Sequence, residues 1–151
     1  VLRDDLPEPD IVRHAGRGDV YDANLWIGRP PTYTPLHRDP NPNLFLQLAG
    51  HKVVRLFPPP LGTDIFARVQ KKLGRHGSPV FRGEEMMHGE ERDLLEHEVW
   101  TSEPSRLSGE IDGCYEARLQ QGDGLFIPKG WWHSVKGVGQ GINASVNWWF
   151  R

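Results

Sequence analysis

The stretch Thr34–Asp39, which reads Thr-Pro-Leu-His-Arg-Asp, decides how the fold and the chemistry of this chain are interpreted. Side chains on an extended strand point alternately to its two faces, so His37 and Asp39 point the same way. A second histidine, His133, lies far along the chain. Two imidazoles and one carboxylate on one face leave further positions of a metal open, as in non-haem Fe(II) sites. We therefore predict that His37, Asp39 and His133 bind one metal ion.

Each of these residues alone is weak support for a metal site. A His-x-Asp stretch occurs by chance in many loops, so the alternative for His37 is a surface or hydrogen-bonded histidine. His133 lies between Trp132 and Ser134, and its alternative is a satisfied core histidine. The prediction therefore depends on what the rest of the chain places around these residues.

Length, charge and cysteine content narrow the class of protein. The chain has 151 residues, which suits one domain with a sizeable core. Its net charge of −2 argues against a dedicated nucleic-acid binder, and no run is apolar and long enough to span a membrane. The single cysteine, Cys114, excludes an internal disulfide framework and fits a reducing compartment. We therefore expect an intracellular protein of the cytoplasm or nucleus.

Short apolar runs separated by glycine and proline predict a β-rich fold. Helical spacing of apolar residues predicts one helix over 63–73, capped by Gly62 or Thr63. The glycine-containing turn between 43–49 and 52–57 predicts a hairpin. The predicted strands are 21–28, 32–39, 43–49, 52–57, 114–119, 125–127, 131–138 and 142–150. This pattern predicts an all-β fold, the double-stranded β-helix or jelly roll of the cupin kind, with one or two peripheral helices.

We expect three regions along the chain. Residues 1–20 are polar and contain two prolines, which predicts an N-terminal arm or linker. Residues 21–151 form the predicted cupin-like catalytic domain, with an insert at about 75–110. Within the insert, 83–98 is strongly acidic, which predicts a solvated loop or a short acidic helix. The functional alternative is a lid that attracts a basic peptide.

A candidate carboxylate partner, Lys52, begins the predicted strand that follows the hairpin turn. A ligand with two carboxylates needs a cation for the group that is far from the metal, and an ammonium serves this purpose. Thr34 lies three residues before His37, so its hydroxyl is a candidate donor to the same carboxylate. The alternative for Lys52 is a solvated lysine of the hairpin.

In these features the chain resembles the Jumonji C (JmjC) 2-oxoglutarate oxygenases, and most closely their small hydroxylase branch with a cupin-like barrel. The resemblance covers roughly residues 21–60 and 114–151, in matching order and spacing. The motifs that carry it are Thr34–Pro40, Asn43–Gln47, Gly50–Lys52, Arg55–Pro59, Gly122–His133 and Ser145–Trp149.

The resemblance implies a role for seven side chains. Fe(II) would be bound by His37, Asp39 and His133. The distal carboxylate of 2-oxoglutarate would be bound by Lys52 and Thr34. The cosubstrate pocket would be lined, near the chelating end, by Asn43 and Asn147. The implied activity is that of an Fe(II)- and 2-oxoglutarate-dependent dioxygenase, which hydroxylates a protein or peptide side chain and releases succinate and CO2.

Two other functions stay open at this point. One is demethylation of a methylated lysine or arginine by the same chemistry, and the aspartate ligand, rather than a glutamate, favours hydroxylation over it. The other is a non-catalytic cupin that binds a metal or a carboxylate as an interaction module. The complete set of His37, Asp39, His133 and Lys52 argues against that module, because a binding module has no need of all four.

Overall fold

The computed structural model describes residues 5–15, 17–75, 84–101 and 113–151. Within these residues, eight strands form two antiparallel sheets of four strands each. The strands are β1 (Val20–Gly28), β2 (Thr32–Arg38), β3 (Asn43–Ala49), β4 (His51–Phe57), β5 (Tyr115–Leu119), β6 (Gly124–Ile127), β7 (Trp132–Val138) and β8 (Asn143–Phe150). The predicted all-β jelly roll is therefore confirmed.

The first sheet has the order β1-β8-β3-β6 and the second the order β2-β7-β4-β5. Successive strands along the chain alternate between the sheets, except that β4 and β5 pair with each other. The predicted hairpin of β3 and β4 is therefore wrong, because these strands lie in opposite sheets. Gly50 turns the chain between them with a φ of 69°. A Cβ there would lie 2.7 Å from the carbonyl oxygen of Ile142, so the turn requires glycine.

Each sheet has an inner face, towards the other sheet, and an outer face. On β3 the inner residues Asn43, Phe45 and Gln47 are buried, while the leucines between them pack on the outer side. The outer face of the first sheet is covered by α1 (Asp10–His14), whose buried Val12 belongs to the same apolar cluster. The polar residues of β3 thus point into the space between the sheets.

The outer face of the second sheet is covered by α2 (Pro59–Lys72) and α3 (Glu90–Trp100). The helix predicted to begin at Thr63 begins four residues earlier, because proline is tolerated in the first turn of a helix. Gly62 lets α2 approach Trp132 closely, since a Cβ there would clash with the indole ring. A short 3-10 helix, Glu84–Met87, precedes α3. No helix in the described ranges is long and apolar enough to span a membrane.

Within the described part of the predicted acidic stretch 83–98, Glu84–Met87 forms the 3-10 helix and Glu90 onwards forms α3, which agrees with the short acidic helix rather than a solvated loop. Acidic side chains of α3 attach it to the barrel. Glu96 of α3 lies 2.7 Å from the Lys136 ammonium on β7. Glu98 lies 3.1 Å from Lys72 on α2. These carboxylates pair with neighbouring elements on the outer side of the second sheet, and α3 buries Leu95 in the cluster beneath it. Part of the acidic charge is therefore used within the fold.

Candidate metal centre and cosubstrate pocket

A β-bulge in β2 determines which of its side chains point inwards. His37 pairs with His133, and Thr34 pairs with Val135, so β2 has one more residue than β7 between these two pairs. Without the extra residue, side chains three positions apart would point to opposite faces. With the bulge, Thr34 and His37 both face the space between the sheets, where both line one cavity.

Three side chains meet at the end of β2. The imidazole rings of His37 and His133 lie 4.1 Å apart between centroids. Asp39 follows the last residue of β2, and its Oδ1 lies 3.9 Å from His37 Nε2 and its Oδ2 3.5 Å from His133 Nε2. One ligand atom from each residue can be chosen so that all lie within 4.8 Å of one another. Two nitrogens and one carboxylate oxygen form a donor set that suits Fe(II) and leaves further positions open.

Backbone carbonyls fix the tautomers of the two imidazoles. His37 Nδ1 lies 2.8 Å from the Pro35 carbonyl oxygen, and His133 Nδ1 lies 3.2 Å from that of Trp131. A carbonyl only accepts, so Nδ1 of each ring donates its proton and Nε2 keeps its lone pair. Burial, together with neighbouring His37, lowers the pKa of His133 to about 4. His133 is therefore neutral at physiological pH, the state in which an imidazole binds a metal.

The carboxylate of Asp39 is held by a chain of two amides. Asn43 donates a hydrogen bond of 2.8 Å to Asp39 Oδ2, and Asn147 donates one of 2.9 Å to Asn43 Oδ1. Burial alone would raise the pKa of Asp39, but His133 and His37 hold it below its usual value. Asp39 is thus ionised and oriented, as a metal ligand must be.

Lys52 lies inside the barrel, on the inner face of β4. Its ammonium donates a hydrogen bond of 2.5 Å to the Ser145 hydroxyl and lies 5.1 Å from the centre of the Phe45 ring. Burial lowers the pKa of Lys52 to about 8, so the side chain is still mostly charged at neutral pH. Within the described part of the chain, no carboxylate forms an ion pair with it. A half-buried cation without an anionic partner among the described residues suits a ligand that carries a carboxylate.

The three candidate metal ligands and Lys52 line one cavity of about 740 Å³. Its wall contains every site residue predicted from the sequence, namely Thr34, His37, Asp39, Asn43, Lys52, His133 and Asn147. Asn147 Oδ1 is buried there and has no hydrogen-bond donor in the described ranges, so it is an acceptor free for a ligand. The residues present therefore fit a metal with a dicarboxylate ligand beside it.

Two other cations are placed away from this cavity. Arg55 lies on the outer face of β4, where it donates 2.6 Å to the Val99 carbonyl oxygen and pairs at 3.0 Å with Glu116. Lys129 is exposed in the turn after β6. Of the described lysines and arginines, Lys52 is the one that lines the cavity.

Several residues in or next to the cavity were not predicted. Ser145 holds the Lys52 ammonium, and its spacing of two from Asn147 on a strand could have indicated a shared inner face. Trp26 of β1, and Met86 and Met87 of the 3-10 helix, line the same cavity as the candidate metal ligands. The sequence around the methionines contains no motif, so it gave no signal for their position.

Comparison with known proteins agrees with this fold. The model of the cupin-like domain family matches residues 2–151. "Lysine-specific demethylase JMJ30" of Arabidopsis thaliana is 30% identical, over 98% of this chain and 30% of that protein. "Lysine-specific demethylase 8" of Danio rerio is 32% identical, over 98% of this chain and 32% of that protein. "JmjC domain-containing protein C" of Dictyostelium discoideum is 31% identical, over 99% of this chain and 32% of that protein.

The chain thus spans about a third of the length of these relatives. The matched part of each relative corresponds to nearly the whole of this chain. Because the family model matches almost every residue, the chain belongs to the cupin-like domain family, as a JmjC domain of the kind found in these relatives.

Proposed function

We propose that this domain is an Fe(II)- and 2-oxoglutarate-dependent dioxygenase that hydroxylates a side chain of a protein or peptide. The observation that carries the proposal is the placement, in one cavity, of three side chains that can hold a metal and a half-buried lysine that has no carboxylate partner among the described residues. His37, Asp39 and His133 would hold Fe(II), which together with 2-oxoglutarate supplies the oxidising chemistry when bound.

The side chains around the metal ligands orient them before any ligand binds. The carbonyls of Pro35 and Trp131 fix the imidazoles, and Asn43 fixes the carboxylate of Asp39. In this proposal Lys52, steadied by Ser145, and the Thr34 hydroxyl bind the distal carboxylate of 2-oxoglutarate. Hydrogen-bond partners of metal ligands, such as the two carbonyls and Asn43, orient those ligands before the metal binds. Loss of such a partner typically lowers metal affinity by about 10- to 100-fold.

Charge balance supports an uncharged side chain as the group that is hydroxylated. Fe(II) offsets the two carboxylates of 2-oxoglutarate, and Lys52 offsets Asp39. The described residues that line the cavity include no second acid that could pair with a cationic substrate group. A buried charge without a partner is costly, so hydroxylation of a neutral side chain suits this cavity better than reaction at an ammonium or guanidinium.

Demethylation of a lysine is the second candidate, favoured by the names of two relatives. The experiment that separates the two supplies Fe(II), 2-oxoglutarate and oxygen with a library of plain and methylated peptides. Hydroxylation gives succinate and a peptide with one more oxygen atom, without formaldehyde. Demethylation gives succinate, formaldehyde and a peptide with one methyl group fewer. Absence of succinate with every peptide and without peptide would support the non-catalytic binding module instead.

The first testable prediction concerns Lys52. We expect Lys52→Ala to weaken 2-oxoglutarate binding by about 10- to 100-fold, because a charge-assisted hydrogen bond contributes about 1.5–3 kcal/mol. The measurement is calorimetric titration with Mn(II) in place of Fe(II), which prevents turnover. Lys71→Ala, at an exposed position on α2, is the matched control and should bind as wild type does. Equal affinities for wild type and Lys52→Ala would exclude Lys52 as the carboxylate partner.

A further inference from the structure

The chain contains two methionines, and both line the cavity that holds the metal ligands. Met86 and Met87 are the last two residues of the 3-10 helix that precedes α3, and both are half-buried. The 3-10 helix contacts β2, the strand that carries His37. Both thioethers of the protein therefore belong to residues that line the cavity in which the proposed function would activate oxygen.

A methionine thioether is readily oxidised to the sulfoxide, and its position decides which oxidant reaches it. The single cysteine is placed differently. Cys114 packs against the apolar cluster on the outer face of the second sheet, and burial raises the pKa of its thiol to about 11. The reactive thiolate is therefore scarce, and Cys114 does not line the cavity. An oxidant formed in the cavity would therefore oxidise the methionines and not Cys114.

We propose that this domain oxidises its own Met86 or Met87 to methionine sulfoxide when no substrate occupies the cavity. This inference rests on the proposed function. Overall, 2-oxoglutarate, oxygen and the thioether give succinate, CO2 and the sulfoxide. One oxygen atom enters succinate as the C1 carboxylate of 2-oxoglutarate leaves as CO2, and the other forms the new S–O bond. The cosubstrate and the sulfur each lose two electrons, which balances the reduction of oxygen, and no proton is transferred.

Oxidation would also change the surface of the cavity. Trp26 and Ile27, which are 49% and 68% exposed, line the same cavity as the two methionines and give its wall apolar surface. A sulfoxide is polar where a thioether is apolar, so it would make this wall less suited to an apolar substrate group. Sulfoxide reductases reverse the change, so it would be a reversible brake on turnover without substrate.

The test is peptide mass spectrometry of the protein after incubation with Fe(II), 2-oxoglutarate and oxygen, with catalase present to remove peroxide. We expect a gain of about 16 Da per sulfoxide on the peptide that contains Met86 and Met87, and a heavier oxygen atom there when labelled oxygen gas is used. Met86→Leu and Met87→Leu, each a close match in volume, identify which sulfur reacts. Succinate is measured in the same samples.

The outcomes separate this inference from the function on which it rests. Sulfoxide that requires 2-oxoglutarate and is lost in Asp39→Ala supports the inference. Succinate without sulfoxide overturns it and leaves the dioxygenase intact. Sulfoxide formed equally without 2-oxoglutarate, or equally on N-acetylmethionine added to the solution, overturns it as oxidation by a diffusing species. Absence of both succinate and sulfoxide overturns the proposed function and this inference together.

Discussion

The space between the two sheets is filled differently on its two sides. On the side of β5 and β6 it contains an apolar cluster that includes Val54, Leu56, Leu119 and Ile127. On the side of β1 and β2 it contains the cavity with the proposed metal ligands and Lys52. Phe45 and Val135 belong to both, because they line the cavity and pack in the cluster.

This difference shows how one barrel separates stability from chemistry. The apolar side stabilises the fold by burial, at about 25 cal/mol per Å² of apolar surface removed from water. The cavity side buries polar groups, which are tolerated because they are hydrogen-bonded to one another. The same strand serves both sides, since β4 carries Lys52 and then Val54 and Leu56 on its inner face. Substitutions on the two sides should therefore have separable effects.

The largest effect is expected from Asp39→Ala, which removes the carboxylate of the metal ligand set. Removal of a hydrogen-bond partner of a metal ligand lowers metal affinity by about 10- to 100-fold, and removal of the ligand itself should lower it further. We expect no detectable succinate and very weak Fe(II) binding by calorimetry, with a circular dichroism spectrum like that of wild type. Fe(II) affinity equal to that of wild type would contradict the assignment of the metal centre.

On the apolar side, Ile127→Ala should lower the stability of the fold and leave metal affinity unchanged, the reverse of what is expected for Asp39→Ala. Ile127 is 1% exposed and does not line the cavity, so truncation leaves a void in the cluster. We expect the free energy of unfolding to fall by about 2–5 kcal/mol, measured by urea denaturation. Metal affinity of the folded protein should be unchanged. A variant that lost metal affinity while it remained folded would show that the two sides are coupled.

A smaller effect on the metal is expected from Asn43→Ala, which removes the donor to Asp39. Fe(II) affinity should fall by about 10- to 100-fold, the usual effect of losing a partner behind a ligand. Gln47→Ala is the matched control, because Gln47 is buried on the same face of β3 but bonds Asn143 and the Ala49 carbonyl instead. Both variants should lose stability, and Asn43→Ala alone should lose metal affinity.

The smallest effect is a pH dependence set by Lys52. Its pKa is lowered to about 8, so above that pH the free protein holds a neutral amine that must take up a proton to bind a carboxylate as a cation. The affinity for 2-oxoglutarate should be constant below about pH 8 and then fall towards tenfold per pH unit. Lys52→Arg, which stays charged, should give a flat profile by the same Mn(II) titration. A flat profile in wild type would mean that Lys52 does not hold the ligand.

Much of this fold follows from local signals in the sequence. The alternation of polar and apolar residues in β3 predicts its limits, which the structure reproduces at Asn43 and Ala49. The start of α2 was predicted too late, because Pro58–Pro60 was interpreted only as the end of a strand and not also as the first turn of a helix. The β3–β4 hairpin was wrong because a glycine turn does not indicate whether the next strand pairs or crosses to the other sheet.

The sequence allowed us to predict which residues form the site, but not how their side chains are arranged relative to one another. Motif spacing indicated His37, Asp39 and His133, and the structure places them together. The shared face of Thr34 and His37 depends on a bulge, and nothing in the sequence states where a strand gains an extra residue. The hydrogen bond from Asn43 to Asp39 depends on how the chain bends after β2 ends, which is a matter of tertiary packing.

The pairing of His37 with His133 has a consequence for folding. These residues are neighbours in the ladder between β2 and β7, yet the two strands are far apart in sequence. Contacts of such high sequence separation form slowly, because a long loop must close before they form. A growing or refolding chain thus has no complete ligand set until β7 has inserted between β2 and β4. Metal binding would therefore report that the barrel has closed, and a partly folded chain would not assemble an oxidising centre.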